Sequence, residues 1–451
     1  MLGKSPNQNQ KNLFQPLLND FINLQHKLVL LSDKMDWDYF EKEFLPLYSN
    51  TGTPAKPIRL MTGLLILKQL FGYGDETLMP EWVSNPYFQY FCGEAHFQWQ
   101  LPCDPSDLVH FRKRIGEKGI EKIFAQSISI HGKDSVSDEI VIDSTAQEKN
   151  ITYPTDNKLR IKIIERCNKI AKAEGIDQRR SYKRAMKKLL IATRFSTHPK
   201  RKKQARKASK QLKTIAGRLV RELERKLPGQ TLELYQDDLN LFKKVLAQKR
   251  EDKNKIYSLH EPEVSCIAKG KVHKPYEFGS KVSIAITKNT NIIVAAVDFK
   301  GNPHDNQTLE STIEQYEKLT GNKASVAITD RGYRGKKMIL ETQIVLPDNG
   351  IGKSNYEKTK SRKRFRRRAA IEPIIGHLKK QYGMGKNYLS GKLGDKINLM
   401  MAASAFNFKS WMNKQKLQLF LALNIFGIFA FFRRIFSCGP IFYSEIGVVK
   451  D

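Results

Sequence analysis

Asp143, Asp330 and Glu372 are the residues of this sequence whose types and settings suit chemistry. Asp143 ends the apolar run Glu139-Ile-Val-Ile-Asp143, and Asp330 ends Ala324-Ser-Val-Ala-Ile-Thr-Asp330. Glu372 lies in the basic segment Phe365-Arg-Arg-Arg-Ala-Ala-Ile-Glu372-Pro-Ile-Ile-Gly-His-Leu-Lys379. A few converging carboxylates suit hard divalent cations such as Mg²⁺, which prefer oxygen ligands. Two such ions, about 3.5–4 Å apart, activate a water or 3′-hydroxyl and stabilise the leaving oxygen of a phosphodiester. The ligands must come from rigid elements, which strand ends and a helix provide. At helical spacing Phe365, Arg368, Glu372 and Lys379 share a stripe, so Arg368 and Lys379 would reach DNA phosphates while Glu372 holds metal. Pro373 disfavours a helical residue before it and removes a donor, so the helix is expected to start or kink at Glu372.

Each of these residues has a plainer alternative. A single Asp at a strand end is commonly a turn or cap residue; two in order, followed by a basic-flanked Glu, favour a site. Asp348 and Glu357 are substitutes for Glu372, neither in a comparable motif. Tyr333, between two glycines beside Asp330, reads as a turn near DNA or as a core aromatic. Arg331 and Arg334 read as phosphate contacts or solvated charges, and His377 as structural or phosphate-side.

The elements that would position the acids read as a mixed α/β arrangement. The runs ending in Asp143 and Asp330 read as buried strands with the acid at the C-terminal edge, where open α/β sheets place their sites. Residues 281–287 and 292–298, separated by Lys288-Asn-Thr-Asn291, give a hairpin signal. Residues 308–319 read as a helix capped by Asp305 or Asn306, and Ile344-Val-Leu346, closed by Pro347, as a short strand. The first 130 residues read as mostly helical, with apolar residues at helical spacing over 58–71 and 108–124. Arg112 and Arg114 fall on a basic helix that would lie on DNA or in solvent.

Between Asp143 and the hairpin, residues 157 to about 254 lack strand alternation and are rich in helix formers. Residues 179–226 are densely basic, and the Pro199-Lys-Arg-Lys-Lys203 stretch, with Arg201, Lys202 and Lys203, marks a break between helices. Unpaired like charges along a helix repel one another, which favours a DNA-gripping arm over a solvated hairpin. The whole chain of 451 residues has a net charge of +32, from 78 Lys and Arg against 46 Asp and Glu. Nucleic acid is the natural counterpart of that excess. Five cysteines, odd in number and irregularly spaced, argue against a zinc site or disulfide framework and for a reduced cytoplasm. Residues 1–19 are largely polar and lack a continuous apolar segment, so no secretory signal is expected there. The apolar run 417–432 is shorter than the roughly 20 residues that span a bilayer; a buried C-terminal helix is expected rather than a membrane anchor.

Taken together, these segments resemble the DDE transposases of bacterial insertion sequences, in the broad group that includes the IS four and IS five families. The likeness spans most of the chain. Leu101-Pro-Cys-Asp-Pro-Ser-Asp-Leu-Val-His-Phe-Arg-Lys-Arg114 resembles the amino-terminal domain common in the IS five type. Ile142-Asp143-Ser-Thr resembles the segment of the first acid, and Thr329-Asp330-Arg-Gly-Tyr-Arg-Gly335 that of the second. Arg368, Glu372 and Lys379 match the spacing of a family signature of Tyr, Arg, Glu and Lys, with Phe365 in place of the Tyr. Gly301-Asn-Pro-His-Asp305 also looks like a family segment. The resemblance implies a ribonuclease-H-like catalytic domain over 134–412, carrying the basic helical insertion. A helical DNA-binding domain over 1–133 would precede it and an apolar tail over 413–451 would follow. It further implies Mg²⁺ dependence with Mn²⁺ tolerated, and action on terminal inverted repeats and target DNA by direct transesterification. It also implies a homodimer on paired ends, associated with the nucleoid. A nuclease that does not join ends, or an inactive domesticated DNA-binding protein, are the competing readings.

Overall fold

A computed structural model describes residues 15–437 apart from 50, 53, 250, 269–273, 348–351 and 353, with backbone alone beyond Gln415. The chain packs as two compact units. One comprises the residues up to Arg114, Ser129–Gly132 and those from Ser404 onward; the other comprises Ile115–Ile128 and Lys133–Ala403.

The first unit is helical: α1 Leu18–Phe21, α2 Lys27–Lys34, α3 Trp37–Phe44, α4 Ile58–Phe71, α5 Asp75–Ser84, α6 Pro86–Phe91 and the start of α7 Pro105–Ser129. Helix α4 is apolar nearly all round and is buried along its length, with Ile58, Leu64 and Leu67 fully enclosed, as expected of a core helix. Asp75, in the first turn of α5, accepts from Lys68 Nζ at 2.7 Å and from both terminal nitrogens of Arg112 at 2.9 and 2.7 Å. This corrects the expectation for Arg112: its side chain is only 7% exposed and faces Asp75 rather than the surface. Helix α7 also departs from the uninterrupted reading of 108–124, because Gly116 adopts φ 58° and ψ −161° within it.

The second unit is built on one mixed sheet. Its elements run β1 Glu139–Glu148, α8 Asp156–Ala173, α9 Lys183–Thr193, α10 Lys202–Lys226, α11 Gly229–Ala247, β2 Ser265–Ala268, β3 Tyr276–Thr287, β4 Ile293–Phe299, α12 Asp305–Thr320, β5 Val326–Ile328, β6 Met338–Ile339, β7 Thr342–Val345, α13 Asn355–Arg368, α14 Ile371–Gln381 and the start of α15 Gly391–Ser437, whose residues from Ser404 belong to the first unit. The sheet order is β2-β3-β1-β5-β7-β6, with β4 also on β3. β5 is parallel to both β1 and β7, and the other pairs are antiparallel. Ile140, Val141 and Ile142 are fully buried, which suits a central strand covered on both faces. Helix α12 packs on β3 and β4, and α14 packs on β1.

Several expectations change in detail. β1 does not stop at Asp143, because antiparallel pairing with β3 continues to Glu148↔Gly279. β5 is only three residues long, because Asp330 turns out of the sheet into a 3-10 turn, Arg331–Tyr333. The hairpin strand β3 begins at Tyr276, earlier than its apolar pattern suggests. The cap of α12 is His304, not Asp305 or Asn306: Nδ1 of His304 accepts from Asn306 N, and Gln307 accepts from His304 N at 3.1 Å. Helix α15 runs unbroken through residue 413 to Ser437; the expectation of burial for residues 417–432 lies outside the described side chains. Among the described residues no helix is long and apolar enough to cross a membrane.

Residues between β1 and β2 form four helices around a core of their own, including Leu159, Ile163, Cys167, Leu212, Leu219, Leu223, Leu239 and Phe242. Helix α10 explains how so basic a segment folds. Ala205, Ala208, Leu212, Ile215, Leu219 and Leu223 recur at helical spacing and are buried, while Lys203, Arg206, Lys207, Lys210 and Lys213 are exposed. Both helix periodicity and charge are thus satisfied by one face each.

Gly279 is the tightest point of the sheet. A β-carbon there would lie 1.8 Å from the carbonyl oxygen of Gln147, a close backbone approach that only glycine allows. Gly279→Ala is expected to cost about 3 kcal/mol or more in urea unfolding of the whole chain; a loss under about 1 kcal/mol would show that this register is wrong.

Candidate active site

Sheet register brings the two aspartates together. The parallel ladder between β1 and β5 ends at Val141↔Ile328. Asp143 and Asp330 each stand two residues further on, on the same face as that last pair. Asp143 stays in β1, and its Oδ1 accepts from Ser144 N at 2.8 Å. Asp330 caps the turn that follows it, its Oδ1 accepting from Gly332 N at 2.8 Å.

Glu372 arrives from a helix start. α13 ends at Arg368 and α14 begins at Ile371, so the break comes just before Glu372. Pro373 then falls in the first turn of α14, where a missing amide hydrogen costs nothing. Glu372 sits in the same turn, where an acid is favoured by the positive helix end.

Arg368 links the three acids. Its Nη2 donates to Asp143 Oδ2 at 3.3 Å and to Asp330 Oδ2 at 3.4 Å, and its Nη1 lies 3.6 Å from Glu372 Oε1. The side chains of Asp143 and Arg368 are mostly enclosed, whereas that of Glu372 is 64% exposed. Burial pushes the Asp143 carboxyl up to about 6; Arg368 and the Ser144 amide oppose this, while Asp330 and Glu372 add to it. One turn earlier on α13, Arg364 donates to Glu139 at 3.0 and 3.2 Å. Helix α13 buries none of its side chains, so these ion pairs are its main attachments to the sheet.

Sequence reasoning treated Asp305 as a helix cap, but the structure places it beside the acids. Its Oδ1 accepts from Ser144 Oγ at 2.5 Å and pairs with Lys281 Nζ at 2.6 Å. The sequence signal for this was the spacing of His304 and Gln307, which forms the capping box and frees Asp305. Glu139, Arg364 and Lys281 were also missed, since nothing in their local patterns marks them.

The remaining expected residues divide. Tyr333 is fully buried, which corrects its reading as a DNA contact; burial, and then the charge of Asp143, drives its hydroxyl well above the usual tyrosine range. Arg331 and Arg334 are exposed beside Asp330. Lys379 lies 3.2 Å from Glu277 Oε2 and so is already matched. His377 is exposed, and Phe365 is half-buried. Glu357 closes the capping box of α13 with Ser354, and Asp348 lies outside the described residues. Arg201, Lys202 and Lys203 are exposed at the start of α10, with the Arg201 guanidinium 4.6 Å from the Phe195 ring centre. In the other unit, Arg114 is exposed and lies 4.4 Å over Tyr48.

Comparison with known families gives two matches. Residues 16–114 match the family described as Transposase domain (DUF772), and residues 245–408 match the Transposase DDE domain. The second match takes in Asp305, Asp330 and Glu372; Asp143 precedes it, as does most of the helical insertion. The chain is also 34% identical over 198 residues, 43% of its length and 96% of the relative's, to the uncharacterized protein ORF8 in the nfe locus of Rhizobium meliloti. No solved structure matches it.

The Arg368 arrangement has a measurable signature in the metal-free chain. A carboxyl raised above its unfolded value favours the folded state at low pH and loses that contribution as pH rises through its folded value. Removing Arg368 raises Asp143 further and leaves a charged, unmatched carboxylate at high pH. Arg368→Gln should therefore lose about 2 kcal/mol at pH 8 and less at pH 5, read by urea unfolding in chelator. An equal or larger loss at pH 5 would contradict the assigned contact.

Proposed function

Because this chain belongs to the DDE transposases of insertion sequences, we propose that it binds the terminal inverted repeats of its element and carries out Mg²⁺-dependent strand cleavage and strand transfer through Asp143, Asp330 and Glu372. The observation that carries this reading is that one guanidinium, Arg368, touches all three acids, so their negative charge converges on one point. DDE transposases act on DNA and use divalent metal ions as a family.

The residues fit such an ion by chemistry. The three donors are carboxylate oxygens, the ligand type Mg²⁺ prefers, and a resident cation already stands where they converge. As they lie, no three acids among the described residues are close enough to share a metal; the guanidinium between them accounts for that spacing. When bound, Mg²⁺ would activate the attacking hydroxyl and neutralise the leaving oxygen. Asp143 and Asp330 supply fixed positions, set by the sheet and by the Gly332 cap. Glu372 is the adjustable ligand, exposed on a helix end. Arg368, released from the acids, is placed one turn from Glu372 to take a phosphate.

The exposed cations of α9 and α10 support a DNA-gripping role for the insertion, with Arg331 and Arg334 guiding the strand beside Asp330 and Arg114 serving the first unit. Two ends must be paired for joining, which favours a homodimer acting in the cytoplasm on the nucleoid.

The direct test is a labelled duplex carrying the element's own ends, with Mg²⁺. Wild type should nick the ends and join them to target DNA, and Asp330→Asn should bind but lose cleavage by 10³-fold or more, an order of magnitude taken from loss of charge stabilisation at phosphoryl-transfer sites. Cutting without joining would leave a nuclease, binding without cutting an inactive DNA-binding protein, and equal cutting by both would remove Asp330 from the site.

The arm makes a separate prediction. Replacing Arg201, Lys202 and Lys203 with alanine should flatten the slope of log affinity against log salt by about 2–3, equally for duplexes with and without the ends. An unchanged slope would place the arm off the DNA.

A further inference from the structure

Helix α13 needs a docking partner to be a helix at all. Eight of its fourteen residues are Lys or Arg, and Glu357 is its one acid. Like charges recur four residues apart, as in Arg362 and Arg366 or Lys363 and Arg367, which destabilises a helix. A helix of this length is marginal in water even with favourable residues. No side chain of α13 is buried, so its docking comes from charge. Among the described residues, only Arg364 and Arg368 of the eight cations meet an acid.

Those two contacts repeat one spacing on both elements. Arg364 and Arg368 are four residues apart and share a side of α13. Glu139 and Asp143 are four residues apart and share a face of β1, with Val141 between them fully buried. Four residues span about 13 Å along a strand and about 6 Å along a helix, so the two arginine side chains splay to meet both acids. That is possible only with α13 in one register on β1. The two footholds differ in kind. Glu139 is built in: its carbonyl accepts from Lys288 N at 3.2 Å and from Ser137 Oγ at 2.6 Å, and it pairs with Val326 of β5. Its carboxylate takes Lys288 Nζ at 2.7 Å and Arg364 through both oxygens. Arg368 instead divides itself among three acids, at 3.3, 3.4 and 3.6 Å.

We propose that Glu139 is a positioning residue of the site: through Arg364 it folds α13 onto β1, delivers Arg368 to the acids, and retains the helix when Arg368 exchanges an acid for a phosphate. About 13 Å of strand separates Glu139 from Asp143, so a charge arriving at the acids leaves the Arg364 pair in place. Lys288 keeps the Glu139 carboxylate matched throughout. The consequence for catalysis rests on the cleavage reading above; the anchor rests on the fold alone.

The test follows backbone hydrogen exchange over residues 355–368 in the full chain, in chelator and without DNA, with β1 and β5 as internal references. Glu139→Gln and Arg364→Gln should each speed exchange there about tenfold or more, the size of one charged hydrogen-bonded pair, and leave both strands unchanged. The double variant should match either single one, because both remove the same link. With the element's labelled ends and Mg²⁺, all three should cleave about tenfold more slowly at saturating duplex, with the half-saturating duplex concentration unchanged. Arg364→Gln keeps the Glu139–Lys288 pair, so it decides the matter if Glu139→Gln unfolds. Unchanged exchange in α13, faster exchange in the strands as well, additive effects in the double variant, or full cleavage by a variant whose α13 exchanges faster would each overturn the proposal. A wild type that cleaves nothing would instead sink the catalytic reading, while exchange in α13 still decides the anchor.

Discussion

Carboxylates brought close together repel one another, and the candidate site is arranged around that fact. Asp143 is drawn out of water and stands near Asp330 and Glu372; its carboxyl rises to about 6 as a result. A single guanidinium offsets this. Arg368 can reach all three acids only because α13 stops at Arg368 and α14 starts at Ile371, which turns the Arg and the Glu toward one point. A continuous helix would have placed Pro373 in its interior, at a cost of about 3 kcal/mol. The helix break therefore removes the penalty of the proline and creates the geometry of the site together.

The positions differ in how firmly they are held. Asp143 belongs to a central strand whose neighbours on both sides are paired. Asp330 is fixed by its own cap and by the Thr329 amide, which donates to Val345. Helix α13 has no buried side chain and rests on Arg364–Glu139 and the Arg368 contacts. A competing charge, whether a cation at the acids or a phosphate at the arginines, shifts the balance of these pairs directly. Apolar packing of α13 would have hidden that sensitivity; ion pairs make the helix responsive to the two charged reactants its neighbours are proposed to bind.

Much of this was legible in the residues because local rules and the fold agree there. The apolar runs before Asp143 and Asp330 are strands, residues 58–71 are a helix, and the hairpin lies where its turn predicts. The misses have physical causes. β1 outlasts Asp143 because its antiparallel partner continues, a long-range fact that no window of sequence contains. Asp305 was assigned to a cap because Asp commonly is one, whereas a histidine took that place through a capping box with Gln307. Arg112 was placed on DNA or in solvent from its neighbours' charge, and for Tyr333 the flanking glycines favoured a turn near DNA over a core aromatic. Their burial depends on Asp75, far away in sequence, and on the cluster beneath Asp330.

The basic insertion raises the opposite question of why so much like charge folds at all. Its exposed cations repel, and few acids answer them: Glu222 pairs with Lys226, and Glu224 with Lys243. The four helices instead bury an apolar stripe from each, with Leu219, Leu223 and Leu239 fully enclosed. Burial of such side chains contributes roughly 1.5–3 kcal/mol each, whereas exposed charge repulsion at i,i+4 is worth only a few tenths. The core therefore carries the fold, and the charge is left free for an external polyanion. Because that core is separate from the sheet, about a hundred residues can stand between Asp143 and the rest of the site without disturbing the β1–β5 register that brings the two aspartates together.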